Sequence, residues 1–331
     1  MAVGSRWSLC MLAMSQPGHS RRLPFLFASI IIMAPAKSVC CFQPPNISAA
    51  FGRLLNDAEG LVARRKVNAD VNDQCAKYAV GPDVEYAYAV KEPKVDHALW
   101  NSVLRRHVSP GTVDGVTTNV VDYAALATDE DVEKYRKVLA KASLAEMEST
   151  PNELLALYIN AYNCLCIGHV TRYLKENGKL PSSVTKTRPP SAKKKEIWDV
   201  AAGEVGGETL SLNDIEHKVL RSKWAEPRIH ASIVCASASC PNLRTEAYFP
   251  HRLNEQMDDQ ARAWVGDATK GVRIDKEQTL SRIFLWFAGD FKASGGPVVW
   301  AKQFAEDGVA RKLSEKRSLK YFPYNWKLNN K

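Results

Sequence analysis

The first 36 residues contain no aspartate or glutamate, and the whole chain lacks the short patterns that mark a nucleotide site, a hydrolase serine or a catalytic zinc. There is no G-x-x-x-x-G-K-[ST] loop, no G-x-G-x-x-G, no H-E-x-x-H and no G-x-S-x-G. No internal repeat or low-complexity tract is visible. Eight cysteines in 331 residues are too sparse for a scaffold held by disulfides, so a core of ordinary size must hold the fold together. The apolar run at 23–36 (LPFLFASIIIMAPA) is interrupted by Pro24 and Pro35 and falls short of the ~20 residues of a membrane span. No stable span is expected once that segment is removed.

What the N-terminus does have is Arg6, Arg21 and Arg22 ahead of that apolar run, then Ala34-Pro35-Ala36. A basic stretch, an apolar stretch and a small-residue site together read as a secretory signal peptide. The expected address is therefore secreted or lumenal, with an organelle-targeting segment as the alternative and a buried N-terminal helix as the competing structural reading. Met14 is a second candidate start. The formal net charge is +9, and three of those positive charges lie in the leader. The remaining basic runs, 64–66, 105–106 and 193–195, sit in polar surroundings without interleaved aromatics, so nucleic acid is not an expected partner. With 45% hydrophobic and 24% charged residues, the composition is that of a globular protein.

The chain organises as a targeting segment (1–36), a helical leader and linker (37–94, with an amphipathic stretch at 46–66) and a main domain (95–331). Apolar spacing predicts helices over 95–108, 129–147, 250–265, 281–291 and 297–306. Asp114-Gly115 and Gly206-Gly207 predict hairpin turns within 113–121 and 197–210. The clearest helix begins at Thr150, with Pro151 in its first turn and Glu153 completing a T-x-x-E pattern, and Gly178 ends it. It is apolar nearly all round from Leu154 to Val170, which predicts a central buried helix. Ser211 caps another helix, with Asp214 three residues on. The apolar stretch 228–236 reads as a buried strand, 272–274 and 279–280 as short strands, and the aromatic tail 319–328 as an extended segment. Helices and strands do not alternate regularly. The expected fold class is α+β, a single domain with a central buried helix and a small mixed or antiparallel sheet.

Six stretches then carry a resemblance: YINAYN (158–163), SLNDIEHKVLR (211–221), PRIHASIVCASASCPNLRTEAY (227–248), LNEQMDDQARAWV (253–265), SRIFLWFAGDF (281–291) and YFPYNWKLN (321–329). Their order resembles the domain of unknown function 547 family from about residue 95 to the C-terminus, about 70% of the chain. Tyr158 stands where that family often has tryptophan, and Asn325 where aspartate is usual. The resemblance implies the domain and no reaction, because the family's activity is not established. Some of its members carry secretion signals. Function must therefore be argued from sites.

The densest reactive cluster is His230, Cys235 and Cys240, with Glu216-His217 upstream. A thiolate nucleophile needs a base or an electropositive setting to ionise near neutral pH. Cys240, before Pro241 in a Ser/Ala-rich turn, is the expected nucleophile. His217 is its expected base and His230 the substitute, since strand parity would put His230 and Cys235 on opposite faces. Ser237 and Ser239 are placed to hold an oxyanion through backbone N–H groups. Arg221, four residues after His217, shares its face and would keep the imidazole neutral. Glu216, Arg221, Ser239 and Cys235 are the expected substrate contacts. Three readings compete with thiol catalysis: a Cys235–Cys240 disulfide, two inert buried thiols, and zinc, for which C-x4-C without a second pair is a poor signature.

Asn160 and Asn163 share one face of the apolar helix. Either they tie loop backbone to it, or one orients a catalytic histidine or contacts a substrate amide. Cys164, Cys166 and His169 on that helix read as packing. Asp214 and Asp290 are the other carboxylates to watch. No metal and no cofactor are expected. The function expected from the thiol cluster is a thiol-dependent hydrolase or acyltransferase on amide or ester bonds. The alternative is a non-catalytic module binding a small molecule, peptide or glycan on Trp286, Phe287, Phe322, Tyr324 and Trp326.

Overall fold

The computed structural model describes residues 93–192 and 195–331. The chain divides into two units, Met1–Gly52 and Arg53–Lys331, and every element below belongs to the second. The signal segment expected at 1–36 and the helix expected at 46–66 lie outside the described residues.

Helix α1 (Ala98–His107) runs directly into a hairpin, β1 (Val108–Val113) and β2 (Val116–Val121). Asp114 and Gly115 turn it with φ of 50° and 76°, the positive pair that matches the right-handed twist of the strands. Helix α2 is Glu130–Ala140. The helix expected over 129–147 is broken there, and a separate turn, Leu144–Met147, follows. Trp100 of α1 stacks on Tyr135 of α2 with ring centroids 5.4 Å apart.

Helix α3 (Pro151–Asn177) is the axis of the fold. Every residue from Glu153 to Thr171 is buried, as an all-round apolar helix requires. Its C-terminus is the expected one: Gly178 takes φ 66° and donates its N–H to the Leu174 carbonyl. Its N-terminus differs from expectation. Thr150 makes no side-chain cap; its hydroxyl faces Glu153 Oε2 at 2.8 Å, and Glu153 Oε1 accepts the Lys94 N–H. The carboxylate is thus spent on the incoming chain, and not on the reciprocal N–H of a capping box.

A second hairpin, β3 (Ala201–Val205) and β4 (Glu208–Ser211), turns at Gly206-Gly207. Ser211 and Asp214 then form the reciprocal cap. The Ser211 N–H and hydroxyl donate to Asp214 Oδ2, and the Asp214 N–H donates to Ser211 Oγ. What they open is a π-helical turn, Asp214–Leu220, a rare geometry that concentrates at functional sites.

The strand expected over 228–236 is absent. Pro227 and the Glu226 carboxylate start a helical turn, α4 (Ile229–Ser232), and 233–240 follows as an irregular loop. Asn163 supplies what a neighbouring strand would have supplied. It donates to the Ser232 carbonyl (3.0 Å) and accepts the Val234 N–H (2.8 Å). A buried backbone satisfied by a side-chain amide needs no sheet.

Helix α5 (Leu253–Gly266) leads to a three-stranded sheet, β5 (Val272–Ile274), β6 (Gln278–Leu280) and β7 (Leu319–Tyr321), with β5–β6 antiparallel and β6–β7 parallel. Helices α6 (Arg282–Trp286) and α7 (Pro297–Phe304) come between. Small sheets around a buried helix make the domain α+β, as expected. Two apolar cores result. The larger surrounds α3. The smaller is aromatic, with Trp264 stacked on Phe284 at 4.5 Å and Phe291 edge-on to Trp300 at 5.1 Å.

Candidate functional site

Two polar centres flank residues 229–240. The first gathers His217, Arg221, His230 and Asp290. The π-helical turn brings Arg221 Nη1 to 2.9 Å from His217 Nδ1, so the guanidinium donates and the imidazole accepts on that nitrogen. Arg221 also grips Asp290 with two bonds, 2.6 Å from Nε and 2.7 Å from Nη2, the fork geometry that a carboxylate matches best. His230 Nε2 meets Asp290 Oδ2 at 2.7 Å. Burial would raise the Asp290 carboxyl, but the His230 and Arg221 hydrogen bonds outweigh it and hold it well below the usual carboxylate range. Phe287 closes this centre, stacking on His230 at 4.3 Å and lying under the Arg221 guanidinium at 4.8 Å.

The second centre is built on Cys235. Asn163 fixes the backbone immediately before it, and Ala236 turns the chain with φ 61°, a left-handed conformation uncommon for a residue with a Cβ. The turn brings both cysteines together. Their sulfurs are 2.8 Å apart, and the Cys235 N–H donates to Cys240 Sγ at 3.0 Å. Ser237 Oγ lies 3.1 Å from Cys235 Sγ and Tyr324 Oη 3.3 Å from it, and the two hydroxyl oxygens are 3.0 Å apart. Burial would raise the Cys235 thiol, but hydrogen bonds from Cys240, Ser237 and Tyr324 bring it down to about 6. Burial, and the neighbouring Cys235, push Cys240 well up. Cys235 is half-buried, whereas Cys240 is only 4% exposed.

Lys270 belongs to this second centre. It is 1% exposed and donates to Asn242 Oδ1 at 2.7 Å. Burial pushes its amine down to about 8, against the opposing pull of Asp267, Cys240 and Cys235. A Cβ on the next residue, Gly271, would fall 1.7 Å from the Trp264 carbonyl oxygen, so only glycine lets the chain carry Lys270 inward here. The C-terminal tail completes the wall. Ala238 N–H donates to the Lys327 carbonyl and Asn329 N–H to the Ala236 carbonyl, which places Tyr324 on the sulfur.

The expected pairing of Cys240 with His217 is not formed, nor is that with His230. Among the described residues the hydrogen bonds of both sulfurs go to one another, to Ser237, to Tyr324 and to the Cys235 N–H, and none goes to a histidine. Cys240 is the inner thiol, and the outer one is Cys235. The parity argument that separated His230 from Cys235 fails with the strand it assumed. Ser239 is not free to hold an oxyanion: its N–H donates to the Asn325 carbonyl and its hydroxyl accepts the Asn325 N–H. Asn160 and Asn163 do not touch an imidazole through any of these bonds. Asn160 clamps Tyr248 through both its carbonyl and its N–H, as Asn163 clamps 232–234. Both tie loop backbone to α3. Glu216 accepts from Tyr162 inside the core.

Cys164, Cys166 and His169 are packing in α3, with burial pushing Cys164 up to about 12 and burial, Arg172 and Arg136 pushing His169 down to about 3. No group of three metal-ligating side chains occurs among the described residues. Of the aromatic residues proposed to line a groove, Trp286, Phe287 and Phe322 are buried. Tyr324 and Trp326 are half-buried, together with Trp198, which the sequence did not single out. Their rings adjoin, Tyr324 to Trp326 at 4.4 Å and Trp198 to Trp326 at 6.4 Å. Lys270 and the contact of Tyr324 with sulfur carry no local signal. They become visible only when the 238–242 loop and the tail are in place.

Residues 146–265 match a family described as a protein of unknown function, DUF547. The chain resembles that family, and the matched stretch contains α3, the π-helical turn, Cys235, Cys240 and α5 up to Val265. Lys270, Asp290 and Tyr324 lie beyond it. No curated protein and no solved structure matches the chain.

Proposed function

We propose that the protein is a thiol-dependent hydrolase or acyltransferase acting on amide or ester bonds, with Cys235 as its nucleophile. One observation carries this reading. The sulfur of a half-buried cysteine lies among the Cys240 thiol and the Ser237 and Tyr324 hydroxyls and is brought into the acidic range, so it is largely thiolate at neutral pH without a histidine beside it. The thiolate attacks the carbonyl carbon, and the Tyr324 hydroxyl, freed from the sulfur as its charge moves to oxygen, is available to donate to the oxyanion. Collapse expels the amine or alcohol, which takes its proton from solvent water, and leaves a thioester on Cys235; water or an acceptor hydroxyl or amine then attacks the thioester carbonyl, gives its proton to solvent and releases the Cys235 thiolate. Trp198 and Trp326, half-exposed beside Tyr324, supply apolar surface for the substrate. The His230–Asp290–Arg221 centre acts at one remove. It holds Phe287, whose neighbour Trp286 packs on Tyr324 at 4.8 Å. On the basic and apolar leader we assign the protein to a secreted or lumenal address, with organelle targeting as the alternative.

The test is capture of the thioester. The protein is incubated with an activated ester and its intact mass measured, followed by peptide mapping. An acyl adduct on Cys235 is expected, absent in Cys235→Ser and present in Cys240→Ser. An adduct that survives Cys235→Ser, or none at all, overturns the assignment. The half-exposed rings favour a second reading, a non-catalytic binding module for a peptide or glycan. It predicts ligand binding that Cys235→Ser leaves intact and Trp326→Ala removes.

A further inference from the structure

We infer that Cys235 and Cys240 form a redox-active dithiol that exchanges electrons with disulfide substrates. The inference rests on the same reactive Cys235 as the acyl-transfer reading, and does not require acyl transfer to occur. The two sulfurs are free, unequal and already in contact. They are 2.8 Å apart, against about 2.05 Å in a disulfide bond. The outer thiol is half-buried and acidic. The inner one is 4% exposed and held in place by the Cys235 N–H. That division suits the two steps of exchange, in which an accessible thiolate attacks and a protected thiol resolves. The left-handed turn at Ala236, fixed by the Asn329 N–H on its carbonyl, is the backbone device that brings the pair together. The other described cysteines, Cys164 and Cys166, are buried in α3 and cannot substitute.

The Cys235 thiolate attacks one sulfur of a disulfide R–S–S–R, forming Cys235–S–S–R and releasing R–S⁻. The Cys240 sulfur then attacks the Cys235 sulfur and breaks the mixed bond. Its proton leaves with the second R–S group as R–SH. The disulfide substrate gains two electrons, and the protein's thiol pair becomes a disulfide. A dithiol or two monothiols return the protein to its reduced state by the reverse steps.

The full-length protein is equilibrated in glutathione buffers of graded redox poise, its remaining thiols are alkylated, and intact mass and peptide maps are read. The expected result is a cooperative loss of two hydrogens with the link mapped to Cys235–Cys240. Cys240→Ser should arrest the reaction as one glutathione adduct on Cys235. Cys235→Ser should form the glutathione adduct on this pair at least about tenfold more slowly at pH 7, since Cys240, the member left, keeps its proton. Two thiols that stay alkylatable across the whole range overturn the inference, and this measurement uses only the unaltered protein. An adduct in Cys240→Ser distributed over other cysteines overturns it as well. If the pair never oxidises yet an activated ester still acylates Cys235, the redox inference fails alone. If it oxidises and no ester is captured, the acyl-transfer reading fails alone.

Discussion

At one end of residues 229–240, His230 lies against Asp290 and Arg221. At the other, Cys235 lies against Ser237, Tyr324 and Cys240. Both centres bury ionisable groups, but the first neutralises charge with opposite charge and the second spreads it over hydroxyl and thiol donors. Arg221 is 3% exposed, and its carboxylate partner makes three short bonds. A pair of that kind is rigid and has little freedom to change protonation. The sulfur centre has longer bonds, donors that can rotate, and one half-buried atom. The difference separates a centre that holds the fold in place from one that can react.

The largest effect should therefore come from the charged centre and should be structural. Asp290→Asn removes one partner of a buried ion pair, a change that costs about 3–5 kcal/mol. Urea denaturation should show a loss of that order. Asp290→Asn together with Arg221→Met should recover part of it, because the guanidinium that Asp290 gripped is then gone as well. The pH dependence follows from the direction of the shift. The folded carboxyl lies below its unfolded value of about 3.9, so its contribution is fully present above that pH and is lost as pH falls toward the folded value. The stability gap between wild type and Asp290→Asn should narrow as pH falls below about 4. A gap that widens below that pH would break the distinction between the centres.

The next effect lies where the two centres share a support. Asn163→Ala leaves the Val234 N–H and the Ser232 carbonyl without their partner. Each buried group so stranded costs about 1–3 kcal/mol. Because these atoms immediately precede Cys235, the same variant should also slow and broaden alkylation of that thiol. Asn160→Ala, which frees only the Tyr248 backbone, should match it in stability and leave Cys235 labelling unchanged. Equal effects of both variants on labelling would show that the sulfur responds to general loosening.

That pair of asparagines also marks how far the sequence could be read. The helix that carries them, its glycine end and both hairpin turns were legible, because each depends on residues adjacent in the chain. Residues 228–236 misled, because their apolar content is that of a strand and the asparagine that replaces a strand partner lies 69 residues upstream of Ser232. The cysteines and histidines were found, yet their pairing was not. Arg221, His230 and Asp290 come from three separate segments, and a four-residue spacing showed only the Arg221–His217 contact. Tyr324 and Lys270 reach the sulfur centre through tail pairing and a glycine-only turn, neither of which leaves a pattern in the chain.

The smallest effect on stability should be the most informative on chemistry. Tyr324→Phe removes one hydroxyl from the Cys235 sulfur and from Ser237, while keeping the ring that packs on Trp286 and Trp326. Stability should change by no more than about 1.5 kcal/mol, the net contribution of a typical hydrogen bond. The reactive sulfur should change more visibly. With the hydroxyl present the Cys235 thiol lies at about 6, so iodoacetamide labelling of the wild type should reach half its plateau near that pH. Loss of a donor to the thiolate disfavours the charged form, so the midpoint in Tyr324→Phe should move upward, and at pH 6 its labelling should be slower than wild type while at pH 9 the two converge. His230→Gln, at the other centre, should leave that profile where it is. If His230→Gln moves the midpoint and Tyr324→Phe does not, the thiolate owes its acidity to the imidazole network, and the boundary drawn at Phe287 between the two centres is in the wrong place.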